Sequence, residues 1–459
     1  MEKYRISRFV CVDDSNERED VYFYNIKSIS IAKMSRSYYA RLKCALDERN
    51  LVVNKNTEYL INEGFLVKDD DDTELREVDL KYIQTCHGKD SLMLTILPTE
   101  GCNFRCEYCY EEHKQNVMSK EMQQALIDFV KRNINSYMGL SVSWFGGEPL
   151  LYPEIIEHLS NEFKEICKTC RKPYSAIMTT NGYLLDYDMF KRMKKCRVLN
   201  YQITLDGMPE VHDSQRFLVD HSPTFGRIME NLKEIKTKEK SLMYSFDIRT
   251  NLTANSLATY PKFVELLNNT LLDDNRFRQR VRIAWNGTND DEYEKKIINN
   301  SDITVIDFWK NHFHQMKEQI GGNKNTDQIK DAFLREMSSH YPCYAAKSNS
   351  FIFGPDGRVF KCTVHFDDSK EGVIGNLDAS GHLIENKDIH TRWMTRYVGK
   401  DREKCYNCVV YPICQGVSCP YKTSILQSRE ECKDIIAELI SLFYIYSYNE
   451  GLCHKIEEE

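Results

Sequence analysis

The sequence predicts an α/β protein built around a partial (β/α)6 TIM-like barrel, with a winged-helix-like domain before it and a cysteine-rich domain after it. Three observations lead to this prediction. Strand and helix patterns alternate six times from Leu92, the first 90 residues are rich in strand patterns, and cysteines cluster from Cys343 onwards. Strands that alternate with amphipathic helices indicate parallel βαβ units. We therefore expect domains at 1–90, 91–325 and 326–459.

The composition is that of a folded protein of several domains. The chain has 459 residues, of which 41% are hydrophobic, and a net charge of -7 with basic and acidic residues interspersed. This balance argues against a general nucleic-acid binder. No terminal segment is long and apolar enough to be a signal peptide or to span a bilayer, so we expect a cytoplasmic protein without membrane contact. Seventeen cysteines in such a chain indicate metal binding rather than disulfides.

The first 90 residues predict a small winged-helix-like domain. The stretches KYRISRFVCV and DVYFYNIKSISIAKMS are rich in aromatic and β-branched residues, as strands are. Helices are predicted from about Arg36 to Asn50 and from Asn56 to Glu63. A hairpin is predicted over GFLVKDDDDTELREVDL, with the acidic run from Asp69 to Asp72 as its solvated turn. The alternative is an extension that only stabilises the next domain.

The barrel prediction depends on six strand patterns separated by amphipathic helices such as SKEMQQALIDFVKRNI and YPEIIEHLSNEFKEICKTC. In such a barrel the loops that follow the strands carry the chemistry. The stretch GGNKN at 321–325 is a predicted linker to the last domain. The six predicted strands are LMLTIL from Leu92, SVSWF from Ser141, SAIMTT from Ser175, LNYQITL from Leu199, LMYSFDIRTNL from Leu242 and RVRIAWN from Arg280.

The loop after the first barrel strand, PTEGCNFRCEYCYEEH, contains Cys102, Cys106 and Cys109. Structural zinc usually takes four protein ligands, whereas three thiolates on a 4Fe-4S cluster leave one iron open. CNFRCEYC resembles the Cys-x3-Cys-x2-Cys signature of the radical SAM superfamily. The resemblance implies that these cysteines hold a 4Fe-4S cluster whose open iron binds S-adenosylmethionine (SAM). Reductive cleavage of SAM then yields a 5'-deoxyadenosyl radical that abstracts a substrate hydrogen.

The ends of the next three barrel strands extend the resemblance. FGGEPLL is similar to the GGE motif that binds the SAM amino group, TTNGYLL supplies groups for the ribose or the carboxylate, and TLDGMPEVHDSQR resembles a run common in related members. Each motif by itself is also typical of an ordinary turn or helix cap, but all of them occur in order at successive strand ends. The resemblance implies SAM contacts from Tyr108, whose backbone meets the adenine, and from Gly146, Gly147, Glu148, Thr180, Asn181, Asp206 and Arg216.

The C-terminal cysteines resemble the SPASM domain, which holds auxiliary iron-sulfur clusters. One departure is the four-residue spacing QGVS before Cys419, where three residues are usual. A zinc ribbon is the alternative for paired cysteines of this kind. Cys167 and Cys170, late on a predicted helix, are interpreted as ordinary thiols, partly buried. The resemblance implies one auxiliary cluster on Cys405, Cys408, Cys414 and Cys432, and another on Cys343, Cys362 and Cys419 that lacks a fourth cysteine.

The combined resemblance implies a radical SAM peptide maturase with SAM and three 4Fe-4S clusters. Its expected partners are a precursor peptide, whose leader binds the N-terminal domain, and a reductant such as flavodoxin or ferredoxin. The expected product is an oxidative crosslink, and a thioether is the crosslink that we expect first. The alternatives are a formylglycine-forming maturase of sulfatases and an iron-sulfur binding or redox-sensing protein without turnover. No general base is identified, since His212, Asp213, tyrosines and solvent are all candidates.

Overall fold

The computed structural model describes residues 3–15, 18–69, 72–284, 342–365, 372–396, 402–417, 419–421, 440, 442–443, 446–447 and 451–457. These residues fall into two compact units. The first lies within Met1–Gly88, Ile303–Ser348 and Arg392–Glu459, and the second within Lys89–Asp302 and Asn349–Thr391. The predicted linker at 321–325 and the predicted ligand Cys432 lie outside the described residues.

The N-terminal part of the first unit contains a four-stranded sheet with helices packed on it. Strands β2, β3 and β4 are antiparallel neighbours, and a C-terminal strand, β18 (Cys453–Lys455), lies parallel to β4. Val21, Phe23 and Phe65 are fully buried between sheet and helices. The elements are β1 (Tyr4–Ile6), β2 (Val10–Asp13), β3 (Asp20–Asn25), β4 (Ser30–Ser35), α1 (Arg36–Asp47), α2 (Lys55–Asn62), β5 (Leu66–Lys68) and α3 (Thr73–His87).

The prediction of a hairpin over GFLVKDDDDTELREVDL is wrong for its second strand. The first strand is β5, which pairs with β1 rather than with a strand that follows it. The second predicted strand belongs to the helix α3. Four residues recur there at helical spacing and are all buried on one side of the helix, namely Leu75, Val78, Tyr82 and Cys86. Exposed Leu80 and Ile83 lie between them. The acidic run therefore precedes a helix.

The second unit contains the barrel strands, and the six predicted strands are confirmed; helices follow the first five, and the stretch after β13 lies outside the described residues. The strands β6, β8, β9, β10, β12 and β13 lie side by side in chain order and every neighbouring pair is parallel. Chain order with parallel pairing is the arrangement of a (β/α) barrel. The strands are β6 (Leu92–Ile96), β7 (Phe104–Cys106), β8 (Leu140–Trp144), β9 (Tyr174–Thr180), β10 (Val198–Thr204), β11 (Arg216–Leu218), β12 (Ser245–Leu252) and β13 (Phe277–Ile283).

Amphipathic helices cover the outer face of the barrel strands. Phe246 of β12, for example, stacks on Tyr201 and Phe277, and its ring lies 6.1 Å from that of Phe190 on a helix. The fifth strand begins three residues later than predicted, because Leu242 and Met243 are exposed. The helices are α4 (Lys120–Asn133), α5 (Pro153–Thr169), α6 (Tyr187–Lys195), α7 (Pro209–Gln215), α8 (Phe225–Lys238), α9 (Ala254–Leu257) and α10 (Tyr260–Leu267).

The barrel sheet continues into C-terminal strands. β14 (Ser350–Phe353) lies parallel to β6, and β15 (Arg358–Phe360), β16 (Val373–Leu377) and β17 (Leu383–Glu385) follow as antiparallel neighbours. The remaining described helices are α11 (Lys387–Met394), α12 (Arg402–Tyr406) and α13 (Tyr411–Cys414). Within the described part of the chain, no helix combines the length and the apolar character that crossing a membrane requires.

Candidate functional site

The three cysteines of the CNFRCEYC stretch lie in the loop that follows β6. The short strand β7 within this loop pairs antiparallel with β11, which places Arg216 opposite Cys106. The Cys109 amide donates to the carbonyl oxygen of Cys106 at 3.1 Å, which closes a turn between the two cysteines. Burial raises the pKa of all three thiols, in the case of Cys109 to about 12. Such thiols are protonated unless a metal displaces the proton.

The two glycines after β8 let this strand end approach the cysteine loop. A Cβ atom at Gly147 would lie 2.2 Å from the carbonyl oxygen of Gly101 and 2.6 Å from that of Glu100. Gly146 has φ +106°, and a Cβ atom there would lie 2.3 Å from the Thr99 carbonyl oxygen. Only glycine fits at either position without a shift of the backbone. The sequence motif therefore sets the position of the cysteine loop against β8.

Glu148 joins the ends of β8 and β9. Its side chain is fully buried. Oε1 accepts from the Leu150 amide at 2.9 Å, Oε2 accepts from the Asn181 amide at 2.8 Å, and the Thr180 hydroxyl donates to both oxygens, at 2.8 and 3.0 Å. Burial raises the pKa of this carboxyl to about 7, against the lowering effect of these hydrogen bonds. A buried carboxylate with these donors around it is suited to bind a cation.

A second network joins the cysteine loop to β10, β11 and β12 through the hydroxyl of Tyr108. Arg216 Nη1 donates to this hydroxyl at 2.6 Å and Asn251 Nδ2 donates at 3.2 Å, while the hydroxyl itself donates to Asp206. The other carboxylate oxygen of Asp206 accepts from the Asn251 amide at 2.8 Å. Tyr108, Asp206 and Arg216, which the sequence predicts as SAM contacts, thus bind one another.

His212 and Asp213 serve the fold in this structure rather than face a substrate. His212 is buried, and its Nδ1 accepts from the Asp206 amide at 3.2 Å. Its proton is therefore on Nε2, which donates to the Thr224 hydroxyl at 3.1 Å. Burial holds the pKa of His212 well below its usual range. Asp213 accepts from the amides of Thr224 and Phe225, both at 2.8 Å, at the start of α8.

Replacing Asp213 by alanine should lower the free energy of unfolding by about 1–2 kcal/mol, because two amides at the start of α8 lose their acceptor. SAM cleavage should remain close to wild type. Denaturant unfolding and the yield of 5'-deoxyadenosine measure the two quantities, with exposed Glu210→Ala on the adjacent helix as the control. A variant of unchanged stability that no longer cleaves SAM would instead make Asp213 part of the chemistry.

Two polar residues of this site were missed by the sequence reasoning. Asn103, between the first two cysteines, accepts from Asn181 Nδ2 at 2.8 Å. Asn251, near the end of β12, binds Tyr108 as described above. A signal for the second one exists, since Arg249 and Asn251 interrupt the buried stretch SFDIRTNL at alternate positions. Alternation of this kind places both side chains on the inner face of a barrel strand.

The residues present fit a cluster with SAM bound to it. Among the described residues, no three His, Cys, Asp or Glu side chains surround a position for a single metal ion. A 4Fe-4S cluster does not require its ligands to surround a single point, because each cysteine binds its own iron. Arg216 Nε is buried and has no hydrogen-bond partner among the described residues, so the guanidinium keeps a donor for a further anion. Glu148 supplies the complementary negative charge for an amino group.

The C-terminal cysteines are partly described. In the first unit, Cys405, Cys408 and Cys414 all pack against one small core around Tyr411. The Cys408 amide donates to the carbonyl oxygen of Cys405 at 3.0 Å. Within the stretch between Cys414 and Cys419, Gln415 and Gly416 both have positive φ, 52° and 76°. Three predicted ligands of one auxiliary cluster thus share one core, and that cluster stays a prediction.

Comparisons with known proteins agree with this geometry. Residues 96–246 match the family model for the radical SAM superfamily. The chain is 26% identical over 377 residues to the cysteine-type anaerobic sulfatase-maturating enzyme of Clostridium perfringens (strain 13 / Type A), with 78% of this chain and 95% of that protein covered. It is also 20% identical over 415 residues to the radical SAM cyclopropyl synthase TigE of Paramaledivibacter caminithermalis, with 81% and 78% covered.

One solved structure has a similar fold. Native anSMEcpe with bound AdoMet and Kp18Cys peptide aligns with a TM-score of 0.59 at 19% identity, and the alignment covers 78% of this chain and 97% of that one. Together with the matching family model, this similarity confirms the predicted barrel fold and the resemblance of the CNFRCEYC stretch.

Proposed function

We propose that this radical SAM enzyme, whose radical SAM domain lies at residues 96–246, oxidises a residue of a precursor peptide and forms a crosslink, a thioether above all. One observation carries the proposal. Hydrogen bonds that Glu148 accepts join the ends of β8 and β9, and hydrogen bonds of the Tyr108 hydroxyl and of Asp206 join the cysteine loop to the ends of β10 and β12. Such a site at the C-terminal ends of barrel strands is where chemistry is expected.

Each residue of the site has an assigned task in this proposal. Cys102, Cys106 and Cys109 hold the cluster. Glu148 would bind the SAM amino group and Arg216 the SAM carboxylate, while Thr180 and Asn181 hydrogen-bond to the Glu148 carboxylate and would supply polar groups for the ribose. Gly146 and Gly147 permit the close approach of the cysteine loop. When bound, the cluster and SAM supply the 5'-deoxyadenosyl radical that removes a hydrogen atom from the substrate.

The proposed reaction requires a second acceptor. Joining a substrate carbon to a cysteine sulfur breaks one C–H and one S–H bond, so the peptide loses two protons and two electrons. One proton and one electron leave together as the hydrogen atom that becomes part of 5'-deoxyadenosine. The thiol proton passes to a base or to solvent. The remaining electron needs an acceptor, and two auxiliary clusters bound by the C-terminal cysteines are our candidates for it.

The proposed substrate is a peptide with a leader segment. Two relatives, matched over 95% and 78% of their lengths, are a sulfatase-maturating enzyme and a cyclopropyl synthase, and one similar structure holds a peptide. Among the described residues of the first unit, β2 is one of the two outer strands of the four-stranded sheet, the other being β18, and an outer strand is a surface to which an extended leader can add. Residues 1–90 would capture the leader, and flavodoxin or ferredoxin would supply electrons in the cytoplasm.

A second candidate function is the conversion of a cysteine or serine of a sulfatase to formylglycine. The similarity to the sulfatase-maturating enzyme along 95% of that protein favours it. The third prediction, a sensing protein without turnover, is not retained, because the radical SAM domain is that of an enzyme and a sensor has no evident use for Glu148 and Arg216.

The deciding experiment supplies the anaerobically reconstituted enzyme with SAM, dithionite and two peptides, one a precursor encoded near the gene and the other a cysteine-containing sulfatase segment. Peptide mass and 5'-deoxyadenosine are measured together, with Cys102→Ala as the control. Loss of two hydrogens with retention of sulfur supports the crosslink. Loss of sulfur and two hydrogens with gain of one oxygen supports formylglycine. Neither change, with 5'-deoxyadenosine still formed, would refute both substrates.

A further inference from the structure

The inner face of β12 presents an arginine fork to the interior of the barrel. Asn251 is on this face, because its side-chain Nδ2 donates to the hydroxyl of Tyr108 in the cysteine loop. Arg249 lies two residues earlier and therefore on the same face. Its Nε donates to the side-chain oxygen of Asn251 at 2.8 Å, so the guanidinium extends towards the candidate SAM site. Phe246 and Ile248 point the other way and are fully buried.

The terminal nitrogens of Arg249 form no hydrogen bond with the residues that the structure describes. In the described part of the chain, the only hydrogen bond of this guanidinium is the one from Nε to Asn251, and it forms no ion pair. Arg280, which is its register partner on β13, differs in this respect, because it pairs with Asp247 at 3.3 Å. A partly buried guanidinium whose two terminal nitrogens lack acceptors is unusual, since buried charges are normally paired.

The electrostatic surroundings of the Arg249 guanidinium also favour the binding of an anion. Burial lowers the pKa of the Arg249 guanidinium, and the nearby positive charge of Arg282 lowers it further, while Tyr108 and Asp206 act in the opposite direction. Asp206 is already bound to Tyr108 and to the Asn251 amide. An arginine remains protonated in proteins, so the charge persists. The planar fork of a guanidinium matches the two oxygens of a carboxylate.

We propose that Arg249 binds a carboxylate of the substrate peptide, an aspartate or glutamate side chain close to the residue that is modified. This inference rests on the proposed function, because it assumes a peptide in the barrel. SAM also carries a carboxylate, but Arg216 Nε, next to the cysteine loop, is a buried donor without a partner. Two guanidinium groups, those of Arg216 and Arg249, are thus available for two carboxylates. Arg216 lies on β11 beside the cysteine loop, and Arg249 lies on the barrel strand β12.

The test uses the reconstituted, SAM-loaded holoenzyme and a mixture of synthetic peptides, each with the leader of the precursor followed by a fixed cysteine and random flanking residues. Bound peptides are eluted and sequenced. We expect aspartate or glutamate to be enriched at one flanking position. Arg249→Gln should reduce that enrichment by about tenfold or more, the effect of losing a charge-assisted hydrogen bond. Arg249→Lys, which keeps the charge without the fork, should retain part of it.

The matched control is Arg278→Gln, which removes an exposed arginine from the neighbouring strand and should leave the enrichment unchanged. The SAM affinity of each variant is measured in parallel and also reports that the site is folded. A large loss of SAM affinity in Arg249→Gln with an unchanged peptide preference would assign the carboxylate to SAM and overturn the proposal. If peptides bind without an acidic preference, only the role of Arg249 is overturned. If no peptide binds, the proposed function is overturned as well.

Discussion

Gly147→Ala should lower the rate of SAM cleavage by about a hundredfold. The added Cβ atom would lie 2.2 Å from the carbonyl oxygen and 2.5 Å from the carbonyl carbon of Gly101, the residue directly before the first cysteine. Both neighbours are backbone atoms, so the strain can only be relieved by moving the cysteine loop or the end of β8. Overpacking of this kind costs about 1–3 kcal/mol. A displacement of about 1 Å at reacting groups reduces rates by about a hundredfold.

The measurements are the iron content after reconstitution, the absorbance of the cluster and the yield of 5'-deoxyadenosine. Gly226→Ala is the matched control, because a Cβ atom there has no atom within 4 Å and the residue lies in the first turn of α8. In a helix this exchange should stabilise the protein by about 0.5–1 kcal/mol. A Gly147→Ala enzyme with full iron content and wild-type cleavage would show that the contact with Gly101 does not position the cluster loop.

Glu148→Gln should weaken SAM binding by about tenfold to a hundredfold and lower the stability of the barrel. The two carboxylate oxygens each accept from a backbone amide, that of Leu150 and that of Asn181. A glutamine must turn its NH2 group towards one of these donors, which leaves a buried amide without an acceptor at a cost of about 1–3 kcal/mol. It also removes the negative charge that we assign to the SAM amino group.

Glu239→Gln separates these two effects. Glu239 is also a buried carboxylate that accepts from two backbone amides, those of Lys240 and Ser241, but it precedes β12 rather than following a barrel strand. Both amides bind Oε1, and Oε2 pairs with Lys194 at 2.7 Å, so this variant should lower stability by removing the ion pair and leave SAM affinity unchanged. Equilibrium binding of SAM and denaturant unfolding provide the two quantities. Equal losses of SAM affinity in both variants would mean that Glu148 acts only through the fold.

The local signals in the sequence were sufficient for the barrel. The six strands and their helices could be predicted because buried strands and amphipathic helices carry distinct periodicities that depend on near neighbours. The same holds for the cysteine loop and the GGE motif, which are contiguous and lie directly after strands. The hairpin prediction at 64–80 failed because the acidic run was interpreted as a turn, whereas the spacing from Leu75 to Cys86 is helical.

The sequence by itself thus predicted, from short motifs at successive strand ends, which loops would form the site. Only the tertiary structure decided how those motifs meet. Tyr108 binds Asp206 and Asn251, which are far from it along the chain, and His212 turns inward to support this network. Arg249 likewise became a candidate ligand site only when the described residues around it were found to supply no carboxylate that pairs with it. The physical reason is that these partners are set by the register of parallel strands, in which residues distant in sequence become adjacent.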